Sequence, residues 1–402
     1  MRRFDKSFTQ QEPLPEEAIE AAVEVMRSGR LHRYNLADGE KGETALFEKA
    51  FAEQLGVPYA LACASGGYSL QLALRACGIE QGDAVLCNAF TLSPVPGSIH
   101  AAGGRAVLVD ILDDTTVDPM DLAEAARETE ARFFLLSHMR GHIGDMEAIM
   151  AVCETHGITL IEDCAHTMGA AYAGRPSGTF GKAGCFSTQT YKHLNSGEGG
   201  VLTTGDPEVM RRAVMLSGSY MLFDRHLAAP DPESYGDVRL MTPNMSGRMD
   251  NLRAAVLRPQ LAELQRRKRR WNALYHRLET RLEGLHPVRL IRRHEKEEFV
   301  GSSLQFLLPT LSHDQIARFV SGCEARGIPL KWYGKPLPED YTSRYDSWGY
   351  LGTNRPLPNA DRLLATLCDL RLPLTFDNED CDFIAQLMSD AMEQATDKTN
   401  TP

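Results

Sequence analysis

The chain has 402 residues, 43% of them hydrophobic and 24% charged, and a formal net charge of −11. That length accommodates about two domains with buried cores, and the acidic balance lacks the concentrated positive charge that nucleic-acid phosphates demand, so nucleic acid is excluded as the main partner. No run approaches the ~20 apolar residues of a membrane helix, and the opening MRRFDKSFTQQEPLPEE has no apolar leader core, so no membrane association and a cytoplasmic location are expected.

The nine cysteines show no CxxC pairs, and Cys63, Cys87 and Cys185 sit in apolar contexts. Reduced, buried thiols are expected, with no structural zinc.

From about residue 43 to 205, apolar β-branched runs alternate with helical patterns, as in a parallel sheet covered by helices. Ala64-Ser65-Gly66-Gly67-Tyr68 precedes a helical pattern from about Ser69 to Ala76, so free backbone amides and the positive helix end can receive an anion there. Strands are predicted over 105–110, 133–137 and 158–163, and Asp145 to Cys153, closed by Gly157, reads as a capped crossover helix. Asp110, Asp113, Asp114 and Asp118 crowd one loop without the glycine and spacing of a calcium site, so they read as turn and cap residues. His138 and His142 flank Met139-Arg140-Gly141, a spacing that invites a metal, yet Gly141 and the loop context argue for structural histidines.

Residues 249–285 carry apolar positions at helical spacing, including Leu252, Val256, Leu261, Leu274 and Leu278, and form one long helix. Its basic run, Arg266 to Arg270, reads as a solvated helix face. Strand patterns over 303–308 and 328–332 enclose a helix at about 313–326, which makes a smaller α+β domain. The expected division is a large domain over 1–250 and, over 251–402, the connecting helix with the small domain. No internal repeat or low-complexity tract is present.

The most informative stretch runs from Ile158 to Thr204. Asp163 ends a strand, and Lys192 leads into a glycine-rich turn. An acid at a strand end or a lysine near glycines is each more often structural; their combination is what matters. Glu162-Asp163-Cys164-Ala165-His166 is followed by Gly181-Lys182-Ala183-Gly184-Cys185-Phe186-Ser187, then Lys192, then Gly197-Glu198-Gly199-Gly200. This series resembles the DegT/DnrJ/EryC1/StrS family of sugar aminotransferases, whose pattern is E-D-x-A-Q/H, G-x-x-G-x-F-S, a lysine five residues on, and G-E-G-G. The resemblance is collinear from about residue 15 to the C-terminus.

The resemblance implies an α/β fold of the type I pyridoxal phosphate (PLP) transferases, aspartate aminotransferase-like, with a mostly parallel seven-stranded sheet and a smaller C-terminal α+β domain. It implies that Lys192 holds PLP as a Schiff base and carries protons, and that Asp163 pairs with the pyridinium nitrogen; both residue types suit that chemistry. Ala165 would lie on one face of the ring and His166 would approach its phenolic oxygen. Gly66, Gly67 and Ser187 would receive the phosphate, although the family reads threonine where this chain has Gly67. Leu92, in Asn88-Ala89-Phe90-Thr91-Leu92, stands where the family stacks an aromatic on the second ring face, and Phe90 is expected in the core.

In the same way, Pro243-Asn244-Met245-Ser246-Gly247-Arg248-Met249 corresponds to the family's N-x-R-M segment with two extra residues. Either Asn244 or Ser246, with Asn244 preferred, would reach the phosphate of a partner subunit, implying a homodimer with shared sites. Arg33, Tyr34, Arg140 and His193 are the substrate-side candidates, Arg140 for an anionic group. Neighbours on an extended segment point oppositely, so His193 says nothing of the lysine's chemistry. The implied reaction moves an amino group from glutamate or glutamine, through PLP and its amino form PMP, to a keto-sugar, sugar acid or cyclitol. Two alternatives stand beside it: another PLP reaction on this fold, such as deoxysugar dehydration, and a catalytically silent regulator.

Overall fold

Five-residue runs of apolar and small residues build the main sheet. The computed structural model describes residues 2–352 and 355–397. Its strands β1 (Tyr59–Cys63), β2 (Ala84–Asn88), β3 (Arg105–Val109), β4 (Phe133–Ser137) and β5 (Thr159–Asp163) are followed by a short hairpin, β6 (Ala171–Tyr172) and β7 (Arg175–Pro176). Then come β8 (Ala183–Ser187) and β9 (Gly200–Thr204). Seven of these form one sheet in the order β1-β9-β8-β5-β4-β2-β3. Neighbours from β8 through β3 are parallel, and only β9 runs against β1 and β8. Every residue of β2, β4, β8 and β9 is buried, as a sheet with helices on both faces requires.

Local signals explain the helix boundaries. Asp145 accepts the N–H groups of Glu147 and Ala148 to start Met146–His156, and Gly157 ends it at φ 65°. The helix Gly66–Ala76 begins three residues before the apolar pattern does, because the Ser65 side chain accepts the Tyr68 N–H and caps it. The aspartates of the 110–118 loop act as expected: Asp118 caps Pro119–Thr129, and Asp110 accepts the N–H groups of Asn359 and Ala360 at the start of another helix.

Helix Asn251–Leu282 starts where Asp250 accepts the Arg253 N–H. Its first half sends Leu257, Leu261 and Leu264 into a cluster with Phe47 and Phe51, and its second half sends Trp271, Leu274 and Leu278 into the core of the C-terminal region. One helix therefore belongs to two cores. Its basic run is not one solvated face. Five consecutive residues at 3.6 per turn spread round the whole circumference. Arg266 pairs with Glu263 outside, Lys268 donates to the Gly169 carbonyl, Arg270 reaches Glu12 and the Leu374 carbonyl, and Arg267 lies over Trp271.

The C-terminal region is built on an antiparallel sheet. After β10 (Arg289–Leu290) and β11 (Glu297–Glu298), which pairs with β6, come β12 (Ser303–Leu307), β13 (Lys331–Trp332) and β14 (Leu367–Arg371). The order is β10-β12-β14-β13. Helices His313–Ala325 and Asn378–Thr396 cover it, burying Ile316, Phe319, Ile384 and Met388. Phe4 and Phe8, at the other end of the chain, close on Phe376.

Candidate active site

The parallel strands end in Asn88, Ser137, Asp163 and Ser187, so polar groups collect at the carboxyl edge of the sheet, where α/β folds place their crevices. The loop between β8 and β9 brings Lys192 back to that edge. A cavity of about 520 Å³ opens there. Gly66, Gly67, Leu92, Asp163, Ala165, His166, Ser187, Lys192 and Arg140 all line it.

Asp163 is held at both oxygens. The parallel register sets Ser137 beside it, and the Ser137 hydroxyl donates to Oδ2 at 2.9 Å while the Ala165 N–H donates to Oδ1 at 3.1 Å. Each oxygen keeps a free lone pair, so the carboxylate can still face a cationic N–H.

His166 links Arg140 to Lys192. The Arg140 N–H donates to His166 Nδ1 at 3.1 Å, which leaves the ring proton on Nε2. Nε2 lies 2.7 Å from Lys192 Nζ, so its N–H is placed to donate to the amine whenever Lys192 is neutral. The electrostatics agree. Burial pushes the Lys192 amine down to about 7 against the pull of Asp163, and Arg140, Arg371 and Lys331 push it the same way. Burial, then the charges of Lys192 and Arg140, keep His166 well below its ordinary value.

A phosphate-bearing cofactor fits this arrangement. At the start of helix Gly66–Ala76 the first N–H groups lie outside the helical ladder and favour an anion. A Cβ at Gly66 would stand 2.8 Å from the Ser187 Cβ, so a glycine is what lets the helix end meet Ser187. Gly200 is required in the same way, because a Cβ there would collide with the Ser65 carbonyl. The Gly67 position is different: its Cβ would meet only Pro94 and Ser98, at 3.8 and 3.9 Å. Space does not explain why this glycine replaces threonine.

Other candidates fall elsewhere. Arg33 is buried and pairs with Glu48 at 2.8 Å, while the Tyr34 hydroxyl meets His226 Nε2 at 2.8 Å, so both serve the packing of the N-terminal segment and do not line the cavity. His193 is turned away from Lys192; its ring packs on Trp271 and its Nε2 meets the Ser302 hydroxyl at 3.2 Å. Asn244 is exposed and outside the cavity, as is Ser246. Phe90 is in the core, edge-on to Tyr333. His138 meets Glu162 and His142 meets Gln305, both structurally. Among the described residues, His138, Glu162 and Cys164 group their ligand atoms within 4.8 Å of one another. The Glu162 oxygens are already taken by the N–H groups of Gly178, Phe180 and Gly181.

The profile of the DegT/DnrJ/EryC1/StrS aminotransferase family matches residues 13–389. The chain belongs to that family. The L-glutamine:2-deoxy-scyllo-inosose aminotransferase of Streptomyces fradiae is 35% identical over 280 residues, which span 68% of this chain and 63% of that relative, less than two thirds of its length. Its namesake from Micromonospora echinospora is 30% identical over 365 residues, 81% of this chain and 86% of the relative. Among solved structures, DesV of S. venezuelae in complex with a ketimine intermediate shares 28% identity and a TM-score of 0.79, covering 95% of each chain. The mixed α/β fold with a large, mostly parallel sheet is that of fold type I aminotransferases.

Several cavity residues escaped the sequence reading. Ser137 carried a usable signal, since it ends the strand predicted beside that of Asp163. Tyr191, Arg267, Tyr341 and Arg371, all lining the cavity, carried none. No described helix is long and apolar enough to cross a membrane.

Proposed function

We propose that this chain is a PLP-dependent aminotransferase that moves an amino group from glutamine or glutamate to the ketone of a cyclitol or sugar. The observation that carries the reading is the buried Lys192 amine, 2.7 Å from His166 Nε2, in one cavity with the doubly held carboxylate of Asp163. PLP, when bound, supplies an electron sink for the bonds of a substrate carbon. Asp163 would hold positive charge at the ring nitrogen, His166 would donate from Nε2, and the Gly66 and Gly67 amides with Ser187 would hold the phosphate. Lys192 anchors the cofactor and, once displaced, takes and returns a proton at Nζ. Glutamine and a keto-cyclitol are the first choices because the relatives from S. fradiae and M. echinospora carry those substrates in their names. A lysine with a reactive amine speaks against the silent regulator, and also against the dehydratase reading, in which histidine replaces that lysine.

The working unit is a homodimer with shared sites. Asn244 is exposed, and just before it in sequence Leu240 and Met241 present 70% and 80% of their surface to solvent, a cost that a two-fold partner would remove. The test is spectroscopic and hydrodynamic. PLP-loaded protein should absorb in the visible, lose that band on addition of L-glutamine and regain it with 2-deoxy-scyllo-inosose, while sedimenting as a dimer. Protein that never takes up PLP sinks the enzyme reading. Subunits mixed from Lys192→Ala and Asn244→Asp should recover activity if Asn244 acts across the interface; exchange without recovery removes it from that role.

A further inference from the structure

The side of the cavity facing the parallel sheet is lined by Arg267 and Trp271 of the long helix, by Asp340 and Tyr341, and by Arg371 at the end of β14. Behind Arg371 on β14 lies Asp369, a fully buried carboxylate. Its oxygens accept Gln305 Nε2 at 2.6 Å and lie 3.3 Å from Arg140 and 3.4 Å from Lys331. Arg140 also donates to the Tyr333 hydroxyl, at 3.1 Å through Nε and 2.9 Å through Nη2. The anion expected at Arg140 is therefore already present, within the protein.

Arg371 is left over. It lies two residues beyond Asp369 on β14, and among the described residues no carboxylate comes within ion-pair distance of it. Its Nη1 is buried with no hydrogen-bond partner, a costly arrangement for a charged donor. The guanidinium carbon stands 3.9 Å from the centre of the Tyr191 ring, so stacking fixes the plane of the fork beside Lys192. Burial and the charge of Arg140 depress its proton affinity despite nearby Asp369, the mark of a cation short of counter-charge.

We infer that Arg371 is the anchor for a carboxylate of the substrate, received by its guanidinium in the cavity that Lys192 also lines. The planar fork matches a carboxylate in two parallel N–H···O bonds, which a lysine cannot reproduce. Arg371 is a specificity-determining residue. The carboxylate belongs either to the amino-acid donor or to a sugar-acid acceptor. The inference rests on the aminotransferase reading for which substrates enter, but binding can be measured without turnover.

The experiment uses the PLP-loaded protein, wild type against Arg371→Gln and Arg371→Lys, with thermal melting to show that each is folded. Calorimetric titration with glutarate, which has carboxylates and no amine, should show binding to wild type and a loss of roughly 10- to 100-fold in Arg371→Gln, with an intermediate loss in Arg371→Lys. The L-glutamine concentration that half-bleaches the visible band reads the donor; D-glucuronate binding against D-glucose reads the acceptor. Weakening confined to L-glutamine places the carboxylate on the donor, and weakening confined to D-glucuronate places it on the acceptor. Glutarate binding equal in all three proteins, or absent from wild type, overturns the inference. Wild type that binds glutarate through Arg371 but shows no bleaching with any amino acid overturns the aminotransferase reading and leaves the carboxylate site standing.

Discussion

The two walls of the cavity are made differently. The wall on the parallel sheet takes Asp163, Ala165, His166, Ser187 and Lys192 from one continuous stretch, with backbone amides completing it. The facing wall is assembled from groups far apart in sequence: Arg267 and Trp271 of the long helix, Tyr341, and Arg371, which lies over Tyr191. The first wall carries one amine, whose proton affinity burial lowers. The second carries Arg371, whose buried Nη1 has no hydrogen-bond partner. The two also act in opposite senses on the same atom, since Asp163 stabilises a proton on Lys192 Nζ while Arg140, Arg371 and Lys331 oppose it.

Removing the amine gives the largest effect. Lys192→Ala should lower transamination by about 10³-fold or more, because both the anchor and the proton carrier go. Melting should stay close to wild type, since a side chain that burial strips of its charge adds little to the fold. Turnover near the wild-type rate in a coupled assay would show that the chemistry lies elsewhere. Next comes Asp163→Asn, which keeps the shape of the Ser137 and Ala165 contacts but not the charge. A loss of about 10²-fold in kcat with weaker PLP retention on dialysis is expected. Unchanged kcat would remove Asp163 from the ring nitrogen.

The opposition between the walls can be read from pH. Nζ reacts with an aldehyde only when neutral, so the rate at which cofactor-free protein develops its visible band should rise with pH through about 7 and level off above it. A free lysine would still be rising near pH 10. Asp163→Asn removes the charge that holds the proton on and should shift the midpoint to lower pH; Arg371→Gln removes one that repels it and should shift the midpoint to higher pH. The neutral imidazole of His166, Arg140 and Lys331 are present in both variants, so the difference between the two shifts belongs to the exchanged residues. Midpoints that move together, or not at all, would break the two-wall account.

This contrast also marks what was legible in the sequence. The strand runs, the caps at Asp145 and Asp118 and the spaced motifs were readable because each depends on neighbours within a few residues, and the motif wall is built from such segments. Arg371 was not readable, since its meaning comes from the antiparallel register of β14 and from Asp369 being occupied by Arg140 and Lys331. Arg267 was misplaced with its basic neighbours because a run of like residues suggests one face, whereas a helix distributes it over all faces. Arg33 was set near the substrate by position alone, and nothing in its own sequence context announces the buried Glu48 that holds it.

The smallest effect tests the one irregular residue on the motif wall. Gly67 stands in the first turn of helix Gly66–Ala76, where a threonine hydroxyl would add one contact to a phosphate already held by backbone amides and Ser187. A Cβ would meet Pro94 and Ser98 only at ordinary contact distance, so Gly67→Thr should fold without strain. Two gains are then possible, and they are separable. Replacing glycine by alanine in a helix stabilises the protein by about 0.5–1 kcal/mol whether or not cofactor is bound, and Gly67→Ala isolates that part. A hydroxyl that reaches the phosphate adds a hydrogen bond worth about 0.5–1.5 kcal/mol, which tightens PLP binding by roughly 2- to 10-fold in the threonine variant alone. Equilibrium titration of cofactor-free Gly67→Thr and Gly67→Ala with PLP decides between them. If threonine binds PLP no tighter than alanine, the hydroxyl does not reach, and the phosphate lies closer to the Gly66 and Ser187 side of the cradle than to position 67.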